Sequence, residues 1–477
     1  MNDVTILWLQ RDLRLTDNPA LGAALAGSGR ILPLYCLPSE GGDVWDPGGA
    51  GRWWLHHSLA SLGEDLRRRG SRLVLRRGDP ARVLPDLARD SGAARVLWSR
   101  RHDPAADSQA GVRRALEGAQ VDCREMDGSV IFPPEAVSTG DGRPYRVFTP
   151  FWKACLRRPP PAAPLAAPEK LPPCPDVDSL ALDALGLLPR IPWDAGLRET
   201  WRPGEAGALR RLDGFCRKGL DAYADARERP AVVGTSRLSP RLHFGELSPR
   251  QVWWRAVRED SPGGEAFLRE LGWREFAHHL LHHSPETLER PMDRRFEAFP
   301  WREDPEALRA WQSGRTGIPL VDAGMRELWH TGWMHNRVRM VVASLLTKNL
   351  RIHWLEGARW FWDTLVDADL ANNTLGWQWV AGCGADAAPY FRIFNPVTQG
   401  QRYDPEGAYV RRWVPEIGRL PDRWVHRPWQ APEKVLREAG IRLGSDYPEP
   451  IVDLKESRRE ALAAYEQVKA AGRQGAR

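Results

Sequence analysis

Val4-Thr5-Ile6-Leu7-Trp8-Leu9-Gln10-Arg11-Asp12-Leu13-Arg14 is the stretch that decides the fold. Its first six residues form an apolar run too short for a helix and lacking a polar face, which marks a strand buried on both sides. The turn that follows carries Arg11-Asp12-Leu13-Arg14 instead of a glycine-rich loop. A ligand at the strand end is therefore not gripped as a dinucleotide pyrophosphate. Further apolar runs at residues 31–36, 73–75, 95–98 and 121–126 alternate with segments of helical apolar spacing such as 53–66 and 81–87. That alternation predicts an α/β region built on a doubly wound parallel sheet.

Beyond this region the composition changes. Residues 157–192 are rich in proline and alanine and include Pro159-Pro160-Pro161 and Pro172-Pro173. Such a segment is neither a long helix nor a central strand and reads as an extended surface connector. After Trp201 the apolar spacing is helical almost throughout, punctuated by Gly234-Thr235, Pro262-Gly263-Gly264 and glycine-rich turns at 314–319 and 382–389. The expected organisation is α/β plus all-α: residues 1–130 as the sheet domain, 131–200 as linker and 201–477 as an all-helical domain. A chain of 477 residues exceeds what one hydrophobic core supports.

Hydrophobic residues at 42% and charged residues at 27% fit a soluble protein, and no apolar run reaches the length of a membrane span. The N-terminus has no secretory pattern, so a cytoplasmic protein with no membrane partner is expected. Six scattered cysteines show no metal-ligand spacing, and no metal site is expected. A net charge of +6 permits nucleic-acid binding without establishing it. The 23 tryptophans are the compositional outlier, and core packing accounts for most of them.

Four segments carry chemistry-bearing residues. Tyr223 precedes Gly234-Thr235-Ser236-Arg237-Leu238-Ser239-Pro240, where hydroxyls, amides and an arginine meet at a helix start. That is either a phosphate cradle or an ordinary serine N-cap beside a solvated arginine. Helical spacing puts Glu270, Trp273 and Arg274 on one face, which suits a ligand surface or an ion pair over a core tryptophan. Asn336, Arg337 and Met340 share one turn, and asparagine and arginine read base edges well, although a helix can equally offer them to water. In residues 366–379 two acids, three amides and two tryptophans crowd fourteen positions. Those acids and amides need partners once buried, and a polar ligand would supply them.

Read together, from Leu7-Trp8 and Arg11-Asp12-Leu13-Arg14 to Asn395-Pro396, these residues resemble the photolyase/cryptochrome family, and within it bacterial enzymes that repair cyclobutane pyrimidine dimers. The resemblance implies an N-terminal antenna domain, a long linker and a helical FAD-binding domain, the architecture already read from patterning. It implies that Tyr223, Thr235, Ser236, Arg237, Leu238 and Ser239 contact the FAD phosphates. Arg274, Arg339, Asp367, Asp369 and Asn373 would surround the isoalloxazine and ribose, with Arg339 paired to Asp367 and Asn373 facing the flavin N5. Glu270 would hydrogen-bond the dimer, Trp273 and Trp379 would clamp it, and Asn336, Arg337 and Met340 would form its other wall. Glu270, Asn336, Met340 and Asn373 are the residues expected at the chemistry.

The implied reaction is light-dependent: photoexcited reduced FAD lends an electron to the dimer, which splits. Trp301, Trp354 and Trp377 match the family's electron-transfer tryptophans. Asn336 and Met340 stand where (6-4) photolyases carry histidines, so the cyclobutane dimer in UV-damaged DNA is the expected substrate, handled by a monomer. A second chromophore, methenyltetrahydrofolate or a deazaflavin, is compatible with the antenna domain, where turns near Arg11, Arg52 and Asp103 would line such a site. The segment departs from the commonest motif at Asn372, Thr374 and Leu375, which leaves the subfamily open. A cryptochrome-like blue-light receptor is the alternative, against which stands the short stretch of roughly 25 residues after Asp453.

Overall fold

The computed structural model describes residues 3–27, 29–39, 45–387 and 391–474; residues 388–390, within the polar-aromatic signature, lie outside them. Five strands, β1 Val4–Leu9, β2 Arg30–Leu37, β3 Val74–Arg77, β4 Ala93–Ser99 and β5 Asp122–Met126, form a sheet in the order β3-β2-β1-β4-β5. All pairings are parallel. The strand read first from the sequence is the central one. Every residue of β1 is buried, and Ile6 lies opposite Leu32 on one side and Val96 on the other.

Crossover helices Gly49–Arg68, Pro80–Ser91 and Ala105–Gly118 cover the sheet. The second starts where it does for local reasons. The Asp79 side chain accepts from the Ala81 amide at 3.0 Å, Pro80 supplies a preset φ at the first position, and Gly92 at φ 67° ends the helix. Leu84, Leu87 and Ala88 on this helix pack with Val4, Ile6, Trp8, Leu34 and Val96 of the strands. Trp8 and Trp98 meet edge to face, with centroids 5.7 Å apart.

The proline-rich connector has one short 3₁₀ turn, Leu182–Leu185. Its prolines cannot donate, but their carbonyls accept: Arg69 Nε donates to Pro168 O at 2.9 Å and Trp254 Nε1 to Pro161 O at 3.0 Å. The helix Phe148–Leu156 lies within the stretch assigned to the linker and buries Phe148, Phe151, Trp152 and Cys155. After Trp201 the described residues form helices, with strand pairing limited to isolated bridges. The final helix is Leu454–Gln474.

The described residues divide into two compact units. One takes in Met1–Asp221, Ser236–Pro285 and Val366–Ala371; the other takes in Ala222–Thr235, Glu286–Leu365 and Asn372–Arg477. The first thus contains the sheet, the connector, the helix Gly264–His283 and the two aspartates 367 and 369. Among the described residues no helix is long and apolar enough to cross a membrane.

Candidate functional site

In the sheet-containing unit, strand order reverses direction between β1 and β4, the position where parallel α/β sheets open a crevice at their carboxyl ends. Arg11 follows β1, and Arg101 and Asp103 follow β4. Arg101 Nε donates to Asp103 Oδ1 at 3.0 Å. Burial would push the Asp103 carboxyl up, but the Arg101 guanidinium outweighs it and holds the group below its ordinary range. Burial also pushes the Tyr35 hydroxyl up to about 12 and the Arg11 guanidinium down to about 10. Arg52, expected beside them, lies instead on the helix Gly49–Arg68 and donates to Gly186 O of the connector at 2.7 Å.

Asp369 belongs to the same buried charge group. Its Oδ2 is 3.4 Å from His243 Nδ1 and its Oδ1 is 3.9 Å from His278 Nε2. Burial alone would raise this carboxyl, yet His278, His243 and Arg274 together hold it well below the ordinary range, so it is an anion. The imidazoles are both driven down to about 4, chiefly by burial. Asp367, 8% exposed, accepts from the Ser239 hydroxyl at 2.6 Å. Arg237 adopts φ 53°, an uncommon conformation for a residue with a Cβ, and Arg211 Nε fixes the adjoining Ser236 carbonyl at 2.7 Å. Leu238 is buried.

The helix Gly264–His283 holds Glu270, Trp273 and Arg274. Trp273 is stacked on Phe148 with centroids 3.8 Å apart and planes within 7°, so one face of its indole is committed to the protein. Arg274 donates to Ser129 O at 2.9 Å and to Glu275 Oε1 at 3.2 Å. Glu275 in turn accepts from the Ile131 and Phe132 amides at 2.7 and 2.9 Å. Arg274 is therefore aimed by residues that the sequence reading did not single out.

In the other unit, Tyr223 is buried with Arg227 over its ring at 5.5 Å. Gly234, beside Thr235, leaves no room for a side chain: a Cβ there would lie 2.2 Å from Ala226 O. The helix Asn336–Ser344 is capped by His335, whose Nδ1 accepts from the Arg337 amide at 3.2 Å. One turn brings Asn336 Nδ2 to 3.9 Å from Met340 Sδ, as the spacing predicted. Arg337 lies 4.2 Å above the Tyr403 ring and pairs with Glu228. Its pKa is lowered by burial and then, against the opposing effect of Tyr403, by the nearby charges of Arg227, Arg402 and Arg392. Arg227, Arg402 and Arg392 thus add positive charge around Arg337, partly offset by Glu228, which pairs with Arg227 at 3.7 Å as well as with Arg337. Arg339 Nε donates to Met334 O at 2.7 Å.

Asn373 Nδ2 donates to Ala358 O at 3.0 Å, which orients the amide. Trp379 Nε1 is tied to Asp386 O at 3.0 Å. Trp377 is 2% exposed and packs against Phe361 and Trp311, with centroids 5.0 and 6.1 Å away. Trp301 contacts His353, and His353 contacts Trp354, with centroids 4.9 and 5.6 Å apart. His353 is thus an aromatic neighbour of both, and spacing alone gave no sign of it.

In the sheet-containing unit, the loop around Arg237 and the Asp369 anion are chemically suited to the phosphates and the hydroxyl or imide donors of FAD; in the other unit, the oriented amide of Asn373 can meet a polar group. Among the described residues no His, Cys, Asp or Glu cluster could hold a metal ion. Comparison with known proteins agrees. Residues 5–170 match the model described as DNA photolyase, and residues 267–467 match the FAD binding domain of DNA photolyase. Deoxyribodipyrimidine photo-lyase of Agrobacterium fabrum is 46% identical over 472 residues, 97% of this chain and 98% of that protein. Cryptochrome-1 of Arabidopsis thaliana is 40% identical over 98% of this chain and 71% of its own length. The crystal structure of a bacterial class III photolyase from Agrobacterium tumefaciens superposes with a TM-score of 0.95 at 46% identity, covering 98% of each chain. With sequence, fold and donor chemistry in agreement over nearly the full length, the chain belongs to the photolyase/cryptochrome family.

Proposed function

We propose that the protein is a light-dependent DNA repair lyase, a deoxyribodipyrimidine photo-lyase acting on cyclobutane pyrimidine dimers. Bound and fully reduced, FAD would supply on excitation the electron that opens the two cyclobutane bonds and is afterwards returned. The protein's own residues bind and orient. Tyr223 and the loop from Thr235 to Ser239 hold the phosphates, while Arg274, Arg339, Asp367 and Asp369 hold the ribose and isoalloxazine. Glu270 accepts from the lesion, Asn336, Arg337 and Met340 bound it, and Trp273 and Trp379 offer apolar faces. The stacking of Trp273 on Phe148 supports that role, because a plate already fixed loses little freedom on binding. The basic surface of Arg227, Arg337, Arg392 and Arg402 meets the backbone, and a dimer that is already poorly paired costs little to flip out. Trp301, Trp354 and Trp377 carry electrons inward to reduce oxidised FAD.

The observation that carries this reading is the orientation of Asn373. With Nδ2 committed to Ala358 O, the amide presents an acceptor, which suits a flavin carrying a proton on N5. Repair enzymes of the family have asparagine here, whereas plant cryptochromes have aspartate. The 40% identity to cryptochrome-1 keeps a blue-light receptor as the second reading. Illuminating the reduced protein with an oligonucleotide that contains a cyclobutane dimer separates the two. Repair is expected, and unchanged dimer after complete flavin reduction would refute the lyase.

A further inference from the structure

The turn after β1 holds more than a strand end. Gly245, at φ 67°, lies so close to it that a Cβ would sit 1.9 Å from Arg11 O and 2.6 Å from Asp12 Cα. Leu13 N donates to Phe244 O at 3.2 Å, and Arg14 Nη1 donates to Gly245 O at 3.0 Å. The segment containing His243 is therefore pinned to this turn by its backbone. The Arg11 guanidinium rests 5.2 Å over the Phe244 ring, and its Nη1 meets His243 Nε2. A guanidinium has donors only, so Nε2 must be the unprotonated nitrogen. The ring proton then resides on Nδ1, which faces Asp369 Oδ2 at 3.4 Å.

We infer that Arg11 is a positioning residue for the flavin site: by donating to His243 it fixes the Nδ1–H tautomer, and that N–H orients and holds the Asp369 carboxylate. This rests on the reading of Asp369 as a flavin contact. The remaining charged or titratable groups around the pair are Arg101, Asp103 and Tyr35 from the sheet and His278 and Arg274 from the helix Gly264–His283. Burial first, and then the positive charge of Arg11 and Arg101, keep the imidazole neutral. Second-sphere partners set histidine tautomers in the same way in metal sites. Here the oriented group is a carboxylate, and the orienting group comes from the turn after β1.

Two measurements on the full-length protein test this. The first is ¹⁵N NMR of histidine-labelled protein at pH 7. A protonated Nδ1 and a bare Nε2 at His243 are expected, and either the opposite tautomer or an imidazolium overturns the proposal. This measurement does not depend on FAD, and a colourless wild-type protein would sink the flavin reading while leaving the tautomer to be read. The second is the visible spectrum of the FAD-loaded protein against pH. The wild type should be flat between pH 5 and 7. In Arg11→Met, His243 loses its fixed donor and titrates nearer its ordinary value of about 6.5, so the flavin bands should shift with pH across that interval. Arg11→Lys keeps a donor and should restore most of the flat profile. A flat profile in Arg11→Met with FAD bound overturns the proposal. If Arg11→Met does not fold, His243→Asn, which keeps one donor toward Asp369, should stay flat while His243→Leu loses FAD affinity about tenfold, and equal affinity in the two variants has the same refuting force.

Discussion

Acidification gives the sharpest test of the buried imidazoles. His278 lies inside the helix Gly264–His283, 8% exposed, and neither ring nitrogen has a hydrogen-bond partner. Burial is the main reason its pKa falls to about 4, with Asp369 opposing and Arg274 reinforcing. In the unfolded chain the same group titrates near about 6.5. Between those two values the unfolded chain binds a proton that the folded chain refuses, so stability falls as the pH drops through the interval. From pH 7 to 5 this one group makes unfolding easier by about 2 kcal/mol. In His278→Leu that contribution is gone. Glu246 and Glu275, whose carboxyls burial pushes up, are present in both proteins and cancel when the two are compared. Urea unfolding followed by tryptophan fluorescence at pH 7, 6 and 5 should show the wild type losing about 2 kcal/mol more than the variant. A wild type to variant difference that stays constant across the series would refute the reasoning, because His278 would then be charged or solvated in the fold.

Three further outcomes follow from close contacts elsewhere. In the helix Trp354–Thr364, a Cβ on Gly357 would lie 2.0 Å from the Trp377 indole; Gly357→Ala should cost about 1–3 kcal/mol by overpacking and change the near-UV circular dichroism of that tryptophan, and an unchanged spectrum and midpoint would contradict the packing. Lys348 is 1% exposed, has no hydrogen-bond partner for Nζ and lies 3.0 Å from the Phe391 ring centroid, while burial drives its amine well below the ordinary lysine range. Lys348→Met should therefore raise stability by about 1–3 kcal/mol, measured by thermal unfolding, and a loss would show that the amine has a partner. Trp377→Phe should block photoreduction of oxidised FAD while sparing repair by chemically reduced protein; normal photoreduction would mean that electrons take another route.

Much of the sheet was legible because a buried parallel strand leaves a local trace. Val4–Leu9, the run at 31–36 and the one at 95–98 each show it, and the observed strands extend those last two by one or two residues at each end. The lack of helix and strand between Leu156 and Leu182 was legible too, since proline writes its constraint directly into the sequence. The contact of Asn336 with Met340 on one turn followed from helical spacing, as did the placing of Glu270, Trp273 and Arg274 on one helix. What held them did not. Phe148 beneath Trp273, Ser129 and Glu275 behind Arg274, and Ala358 behind Asn373 come from distant segments, and contact between distant segments leaves no period in a sequence.

The same limit explains Asp369. Its neighbours on the chain suggested a polar ligand, but its ionisation is set by His243 and His278, which sit 126 and roughly 90 positions earlier. The one clue was negative: the turn after β1 lacks the glycines of a phosphate loop and offers Arg11 instead. Without glycines the crevice at the strand ends cannot admit a pyrophosphate closely, and an arginine there needs an acceptor once buried. His243 Nε2 is that acceptor, and because a neutral imidazole that accepts at one nitrogen must donate at the other, the need of Arg11 becomes a constraint on Asp369. The departure from the dinucleotide motif in the first eleven residues and the fixed carboxylate at position 369 are two ends of one hydrogen-bonded chain.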